Sequence, residues 1–412
     1  MNHKKITTSI LEIFSRLSEK ELNPCLTHSQ SEEGFSHFLG FNPIETFQFK
    51  GKEEFQKELE KFTTKHSKKG HKIMGYFSYD LGHLLHQIKQ TSKDDLKLPD
   101  IYLQAFDNWL EDGKIHFTDP TFPENIKSIL KRKPAPTKKY KSTNFQPTIS
   151  KTQYSQAYSQ IKKHIKEGDI YQINLTHRLE AKTDIPAKEL LLKTAKQNPV
   201  DFLAYIEGPD FEIISASPER FIKIEKGRIE TCPVKGTRPR GKTEKEDEQM
   251  VKELIESEKE AAELNMITDL LRNDIGKVSK PGSVKVEDHR LLSKCPTVWH
   301  TYSRITGKLQ KNIKPIEALI SMLSGGSITG CPKKRAMKII DNLEPTARSV
   351  YTGVIGIINP NQDLDFNIAI RTIIKKDKKL YLQVGGGIVL DSENKAEYEE
   401  TLQKAASFMK IL

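Results

Sequence analysis

Apolar positions along this chain follow two rhythms, and the switches between them outline its elements. From Met1 to Leu17, the residues Ile6, Ile10, Leu11, Ile13, Phe14 and Leu17 predict an amphipathic N-terminal helix. Residues 73–80 and 101–107 are instead short, nearly continuous apolar runs, the pattern of buried strands. A third strand ends at His116-Phe117-Thr118 after the turn signal Asp112-Gly113. A helix over 155–166 leads through Gly168-Asp169 into a strand over 170–176. Further strands are predicted over 203–206, 212–216, 222–224, 228–230 and 380–384. A long helix follows from about Lys245 to Ile275, with Met250, Leu254, Ile267, Leu270 and Leu271 on its core side. Another begins near Lys395. Runs of strands broken by long helices, without regular βαβ alternation or internal repeat, predict an α+β fold.

Composition narrows the classes of answer. At 412 residues and 36% hydrophobic the chain is able to bury a large core. No stretch approaches the roughly 20 apolar residues of a membrane span, and the N-terminus has no signal-peptide pattern, which places the expectation in the cytoplasm. Cys25, Cys232, Cys295 and Cys331 show no CxxC pairing or metal-ligand spacing and read as reduced thiols. The formal charge is +11, and the densest basic run is Lys131-Arg132-Lys133 with Lys138-Lys139-Tyr140-Lys141. Pro134, Pro136 and Thr137 interleave it, so it reads as a solvated linker over 119–148 between an N-terminal part, 1–118, and a second part, 149–412. The charge also suits a small anionic substrate; a basic nucleic-acid-binding protein is the reading from another class.

Candidate chemistry concentrates after the linker. Lys235 stands between Pro233 and Gly236, at a predicted bend between a strand and a helix. Lysine becomes nucleophilic when desolvation or nearby cations lower its pKa, and Arg238 and Arg240 are at hand to supply such charges. Glu263 lies one turn before Ile267, at the edge of a buried helix face. On the C-terminal helix Glu397, Glu400 and Lys404 share one face, whereas Tyr398, Leu402, Ala405 and Met409 form a separate apolar stripe. Carboxylates so grouped suit a hard cation such as Mg²⁺. Gly325–Pro332 is expected to open a helix with Pro332 in its first turn and N–H groups free for an anion, and Gly385-Gly386-Gly387 to follow a strand. Each feature also has an ordinary reading: a solvated lysine, a salt-bridge ladder, turn chemistry.

Taken in order, these segments resemble the chorismate-utilising enzymes. The resemblance rests on residues 168–175, Ser217-Pro218-Glu219-Arg220-Phe221, Pro233 to Arg238, Asp269 to Asp274, Gly325 to Pro332, Asp365 to Thr372 and Gly385 to Glu400, and more weakly on Gly75 to Asp80. It implies one large sandwich of two antiparallel sheets flanked by helices, with N-terminal strands joining the same core. It implies Mg²⁺ held by Glu263, Glu397 and Glu400. Chorismate would be positioned by Gln172, Gly236, Thr237, Ser327, Tyr351, Arg371, Gly385, Gly386, Gly387 and Lys404.

Two positions discriminate within the family. Members that use water carry a lysine base where this chain has Gln172, so ammonia chemistry is implied. Members that make anthranilate carry alanine where this chain has Lys235, so the lysine resembles the branch that aminates chorismate at C4. In that branch Lys235 is the nucleophile, Glu219 the proton relay, and His300 lies near the ring. Asp269 and Asn273 read as structural. The chain has no Gly-x-Cys-x-Gly glutaminase segment, so ammonia is expected from a separate glutamine amidotransferase subunit. Anthranilate formation is the alternative within the family.

Overall fold

The computed structural model describes residues 2–5, 8–17, 21–31, 34–51, 54–133, 138–197, 200–294 and 298–412. Among these, twelve strands form one sheet and ten form the other, and every pairing between them is antiparallel. The two sheets stack and helices cover their outer faces, as the fold class predicts. Strands from before and after residue 119 mix in both sheets: Phe202–Glu207 pairs with Cys25–Ser31, and Val354–Ile358 with Lys72–Phe77.

The continuous apolar runs are explained by burial on both faces. Side chains alternate along a strand, so in Lys72–Phe77 one set (Met74, Tyr76) enters the space between the sheets while the other (Ile73, Phe77) meets the outer helices. The same split separates Ala204 and Ile206 from Leu203 and Tyr205, and Ile355 and Ile357 from Val354 and Ile358. Each such Ile, Phe or Leu contributes about 1.5–3 kcal/mol by leaving water. At Gly75 a Cβ would lie 2.8 Å from the backbone of Leu103, so only glycine admits the neighbouring strand there.

Several elements differ from the sequence reading. The N-terminal helix is confined to Ile10–Ser15, capped by Ser9, and Asn2–Lys5 is a strand paired with Lys114–Phe117. Within 119–148 the structure has a helix, Phe122–Lys131, which buries Phe122, Ile126 and Ile129 against the first sheet. The helix expected over 245–275 is two helices, Glu244–Glu256 and Glu258–Val278. Ser257 between them has extended backbone and accepts a hydrogen bond from Glu260 N, an N-cap that starts a new helix inside a charged run. Pro332 precedes the helix Lys333–Leu343 as its N-cap, and the glycine segment before it forms a short helix, Gly326–Thr329. Gly385–Gly387 lie inside a strand, Lys379–Ile388. On the final helix, Asn394–Met409, Met409 is exposed and Phe408 takes the core position. Met1, Ile6, Pro134, Pro136, Thr137 and Cys295 fall outside the described residues; Cys25, Cys232 and Cys331 are free thiols. Among the described residues no helix is long and apolar enough to cross a membrane.

Candidate active site

The site grows from the strand pair Gln172–Lys182 and Lys379–Ile388, in which Asn174, Leu175 and Thr176 face Gly387, Gly386 and Gly385. A Cβ on Gly386 would stand 3.3 Å from Glu397 Oε2, 3.9 Å from Glu400 Oε1 and 4.0 Å from Lys404 Nζ. Glycine therefore lets the polar face of the C-terminal helix descend onto the strand. Lys404 Nζ donates to Gly385 O at 3.0 Å and pairs with Glu400 at 2.7 Å. One residue on, a Cβ at Gly387 would meet Gln172 Nε2 at 2.7 Å. Gln172 is 1% exposed, and among the described residues its Oε1 has no hydrogen-bond partner.

Electrostatics separate the two carboxylates of this helix. Burial pushes Glu397 up, the Glu400 charge adds to this, and Ser392, Lys259 and Lys404 oppose it. Glu400 is half-exposed; burial pushes it up too, but Lys404, Lys235 and Lys259 together hold it below the usual carboxylate range. A buried carboxylate beside a second one has the donor chemistry that a hard cation takes up. Glu263 is half-buried on Glu258–Val278. Among the described residues its oxygens do not converge with those of Glu397 and Glu400 to within 4.8 Å; the group that does is His164, Glu167 and Asp169, where Arg335 already pairs with Asp169 at 2.6 Å.

Glu219 enters from the other sheet, just before the strand Arg220–Glu225. Its backbone is fixed on both sides, with Glu219 N donating to Ser217 Oγ and Ile368 N to Glu219 O. Its carboxyl is buried and pushed up to about 7 by desolvation, against the pull of the Lys235 ammonium, a hydrogen bond with Ser327 and the Lys404 charge. Glu219, Lys235, Ser327, Lys404 and Glu400 thus share one neighbourhood, although 181 residues separate Glu219 from Glu400.

Lys235 sits within a strand, Val234–Pro239, not at a strand-to-helix bend. The register shifts between Lys235 and Thr237, and Gly236 has φ +70°, so the kink is a β-bulge. A side chain at Gly236 would strike Glu260 and Leu254. Thr301 Oγ1 donates to Lys235 O at 2.6 Å. The arginines expected to activate Lys235 are engaged elsewhere: Arg238 pairs with Glu260 at 2.6 Å, and Arg240 grips both oxygens of Asp247 at 2.8 and 2.6 Å. Two carboxyl groups, Glu219 and Glu400, lie within reach of the Lys235 charge, and the Lys404 ammonium shares that neighbourhood.

His300 lies across from Thr237 on the neighbouring strand, Val298–Lys308. Its Nδ1 lies 2.9 Å from Thr237 Oγ1 and 3.2 Å from Gly236 O, so both neighbours hold the ring from this side. Burial first, and then the nearby Arg371 charge, keeps the ring below its ordinary pKa despite the Gly236 carbonyl. Arg371 occupies a left-handed backbone conformation, φ +51°, at the turn into Thr372–Lys376. Tyr351 is buried beside Arg348 and Gln383 around an internal cavity of about 10 Å³. Asp269 and Asn273 are exposed, whereas Asp274 is 2% exposed and pairs with Lys277 and Lys333.

The sequence reading missed Lys259, whose charge reaches both Glu397 and Glu400; its position four residues before Glu263 was the available signal. It also missed Glu344 and Arg348, for which no local pattern pointed to a site. Volume does not mark the site either. A basic cleft of about 540 Å³ around Lys226, Lys280 and Lys308 and a groove of about 500 Å³ beside Trp299 are lined by none of Glu219, Lys235 or Glu397.

Comparison with known proteins gives this arrangement a context. The family described as chorismate binding enzyme matches residues 23–410. Aminodeoxychorismate synthase component 1 of Bacillus subtilis is 34% identical, over 98% of this chain and 94% of its own length. Anthranilate synthase component 1 of Acetivibrio thermocellus is 36% identical over 82% of this chain and 74% of its own. Among solved structures, anthranilate synthase component I from Streptococcus pneumoniae superposes with a TM-score of 0.81 at 27% identity, covering 98% of this chain and 97% of that one. The menaquinone-specific isochorismate synthase MenF from Escherichia coli, at 18% identity and TM-score 0.79, shares the fold. With the family match spanning nearly the whole chain, and two antiparallel sheets flanked by helices as in these structures, the chain belongs to the chorismate-binding enzymes.

Proposed function

We propose that this chain aminates chorismate at C4 with ammonia, giving 4-amino-4-deoxychorismate for 4-aminobenzoate and folate synthesis. The observation that carries the reading is Lys235 in the field of the buried, proton-holding Glu219. In this reading Lys235 reacts as the free amine, its proton lost to solvent, and Glu219 enters the step carrying its own proton. Lys235 Nζ bonds to C2, the ring double bond shifts, and the C4–O bond breaks as Glu219 passes its proton to the departing hydroxyl, releasing water. Ammonia then bonds to C4, the double bond shifts back, and the C2–N bond breaks to return Lys235; the proton lost from the new ammonium goes back through Glu219.

Gln172 occupies the place of a base but has no basic nitrogen, which disfavours water as the nucleophile. Arg371, Tyr351 and Lys404, with the backbone at Gly236, Thr237 and Gly385–Gly387, would orient the two carboxylates of the substrate, and Ser327 would hold Glu219. His300, kept below its ordinary pKa by burial and held at Nδ1 by Thr237 and Gly236, would present Nε2 beside the ring. Glu263, Glu397 and Glu400 would hold Mg²⁺, which when bound neutralises and orients a substrate carboxylate. Ammonia would come from a separate glutamine amidotransferase subunit, and we place the reaction in the cytoplasm.

The test is to supply chorismate, Mg²⁺ and an ammonium salt, then resolve products with and without an added aminodeoxychorismate lyase. 4-Aminobenzoate formed only with the lyase is the expected result. Anthranilate formed without it would overturn the C4 assignment and move the chain to the branch represented by the Acetivibrio relative.

A further inference from the structure

We infer that the buried ion pair Glu344–Arg348 is a positioning device that stands in for a missing β-strand beside the active site. The inference rests on the proposed function for its catalytic consequence, and on geometry alone for its structural one.

The edge of strand Gln172–Lys182 that faces away from Lys379–Ile388 is only partly paired. The two-residue strand Gly330–Cys331 covers Gln172 and Ile173, and Gln146–Pro147 covers Leu179 and Glu180. Between them the ion pair takes up two backbone groups, and Thr148 takes up Arg178 O. Arg348 Nη2 donates to Asn174 O at 2.6 Å, and Thr176 N donates to Glu344 Oε1 at 2.9 Å. One donor and one acceptor two residues apart are what a neighbouring strand would offer. The residues gripped, Asn174 and Thr176, face Gly387 and Gly385 across the ladder.

The same guanidinium reaches the opposite wall. Arg348 Nη1 donates at 2.9 Å to Ile328 O, which also accepts from Asn174 Nδ2 at 3.2 Å; Ile328 follows Ser327, the partner of Glu219. The pair itself is bidentate, Nε to Oε2 at 2.8 Å and Nη2 to Oε1 at 2.7 Å, and the Tyr79 ring lies over the guanidinium at 4.6 Å. Arg348 is 2% and Glu344 4% exposed. A planar fork fixes distances between the segments it joins, which a flexible ammonium does not. Arg348 thus sets how far the strand paired with the glycines stands from the Ser327–Glu219 wall, and a misplacement of about 1 Å at such a site costs ~10²-fold in rate.

The test compares wild type with Arg348→Lys, which keeps the charge but not the fork, with Glu344→Gln, which keeps the shape but not the charge, and with Arg348→Ala supplemented with guanidinium. Expected are a kcat fall of about 10- to 100-fold per folded molecule in Arg348→Lys, partial recovery of Arg348→Ala by guanidinium, and faster amide exchange confined to 172–176, 327–329 and 385–387. Unchanged exchange at those segments, or activity lost only in proportion to the unfolded fraction, would overturn the inference. A wild type that leaves chorismate untouched would remove the proposed function instead, and the exchange measurement would still decide whether the pair holds the strand.

Discussion

The C-terminal helix and the strand that carries Lys235 face the same site, but their chemistry is assembled differently. On Asn394–Met409 the charged groups stand three and four residues apart, so helical spacing brings Glu397, Glu400 and Lys404 together before any tertiary contact is made. Around Lys235 nothing is local. The arginines nearest in sequence turn away to Glu260 and Asp247, and the charges that reach the ammonium come from 16 and 165 residues away. A lysine's neighbours in sequence are therefore a poor guide to its field, whereas a helix face is a good one.

The largest effect should come from removing the group whose setting is wholly tertiary. Lys235→Ala should abolish the covalent adduct seen by intact mass spectrometry and lower C4 amination by about 10³-fold or more. An adduct that survives would take the nucleophile role from Lys235.

Glu219→Gln should follow, with kcat down about 10²- to 10⁴-fold. The sign of its pH effect is fixed by the raised carboxyl. Folded, Glu219 holds its proton to about pH 7, whereas an ordinary glutamate releases it near 4.5, so stability falls as pH rises between those values and stays low above them. In urea titrations at pH 5 and pH 8 the wild type should therefore lose more stability between the two than Glu219→Gln does. Equal losses would mean that the carboxyl is not held protonated.

A smaller effect is expected on the helix side, where the chemistry is shared between two carboxylates. Glu397→Gln should raise the Mg²⁺ concentration for half-maximal activity by at least ~10-fold while leaving the Lys235 adduct detectable at saturating Mg²⁺. An unchanged Mg²⁺ titration would remove Glu397 from the cation site. Arg238→Ala should alter kcat by less than about twofold, because its partner is Glu260; a larger fall would restore the sequence-based view of Lys235 activation. Smallest in its effect on chemistry, Ser257→Ala should cost about 1 kcal/mol in denaturant unfolding and nothing in kcat, through loss of the cap that separates two helices.

Legibility in the sequence follows the same division. Strands buried on both faces announced themselves as apolar runs, and their predicted positions at 73–80, 101–107 and 203–206 fall on Lys72–Phe77, Ile101–Phe106 and Phe202–Glu207. The helix break at Ser257 was hidden because Glu and Lys suit both helices, and only the cap geometry separates them. Gly385–Gly387 read as backbone following a strand, with turn chemistry the ordinary alternative; they lie inside the strand, where the lack of a side chain serves the close approach of Glu397 and Gln172. Glu344 and Arg348 had no legible role, since their partners Asn174, Thr176 and Ile328 lie up to 174 residues away.

By itself the sequence determined the α+β class, the helical face of Glu397, Glu400 and Lys404, and the motif order that marks a chorismate-binding enzyme, because short-range periodicity and residue type suffice for each. Only the tertiary structure decided that Lys235 stands on a bulged strand among carboxylates, that Glu219 is buried enough to keep its proton to about pH 7, and that an ion pair completes the strand edge beside the glycines. Desolvation and long-range Coulomb fields depend on what surrounds a group in space, and chain order does not encode those distances.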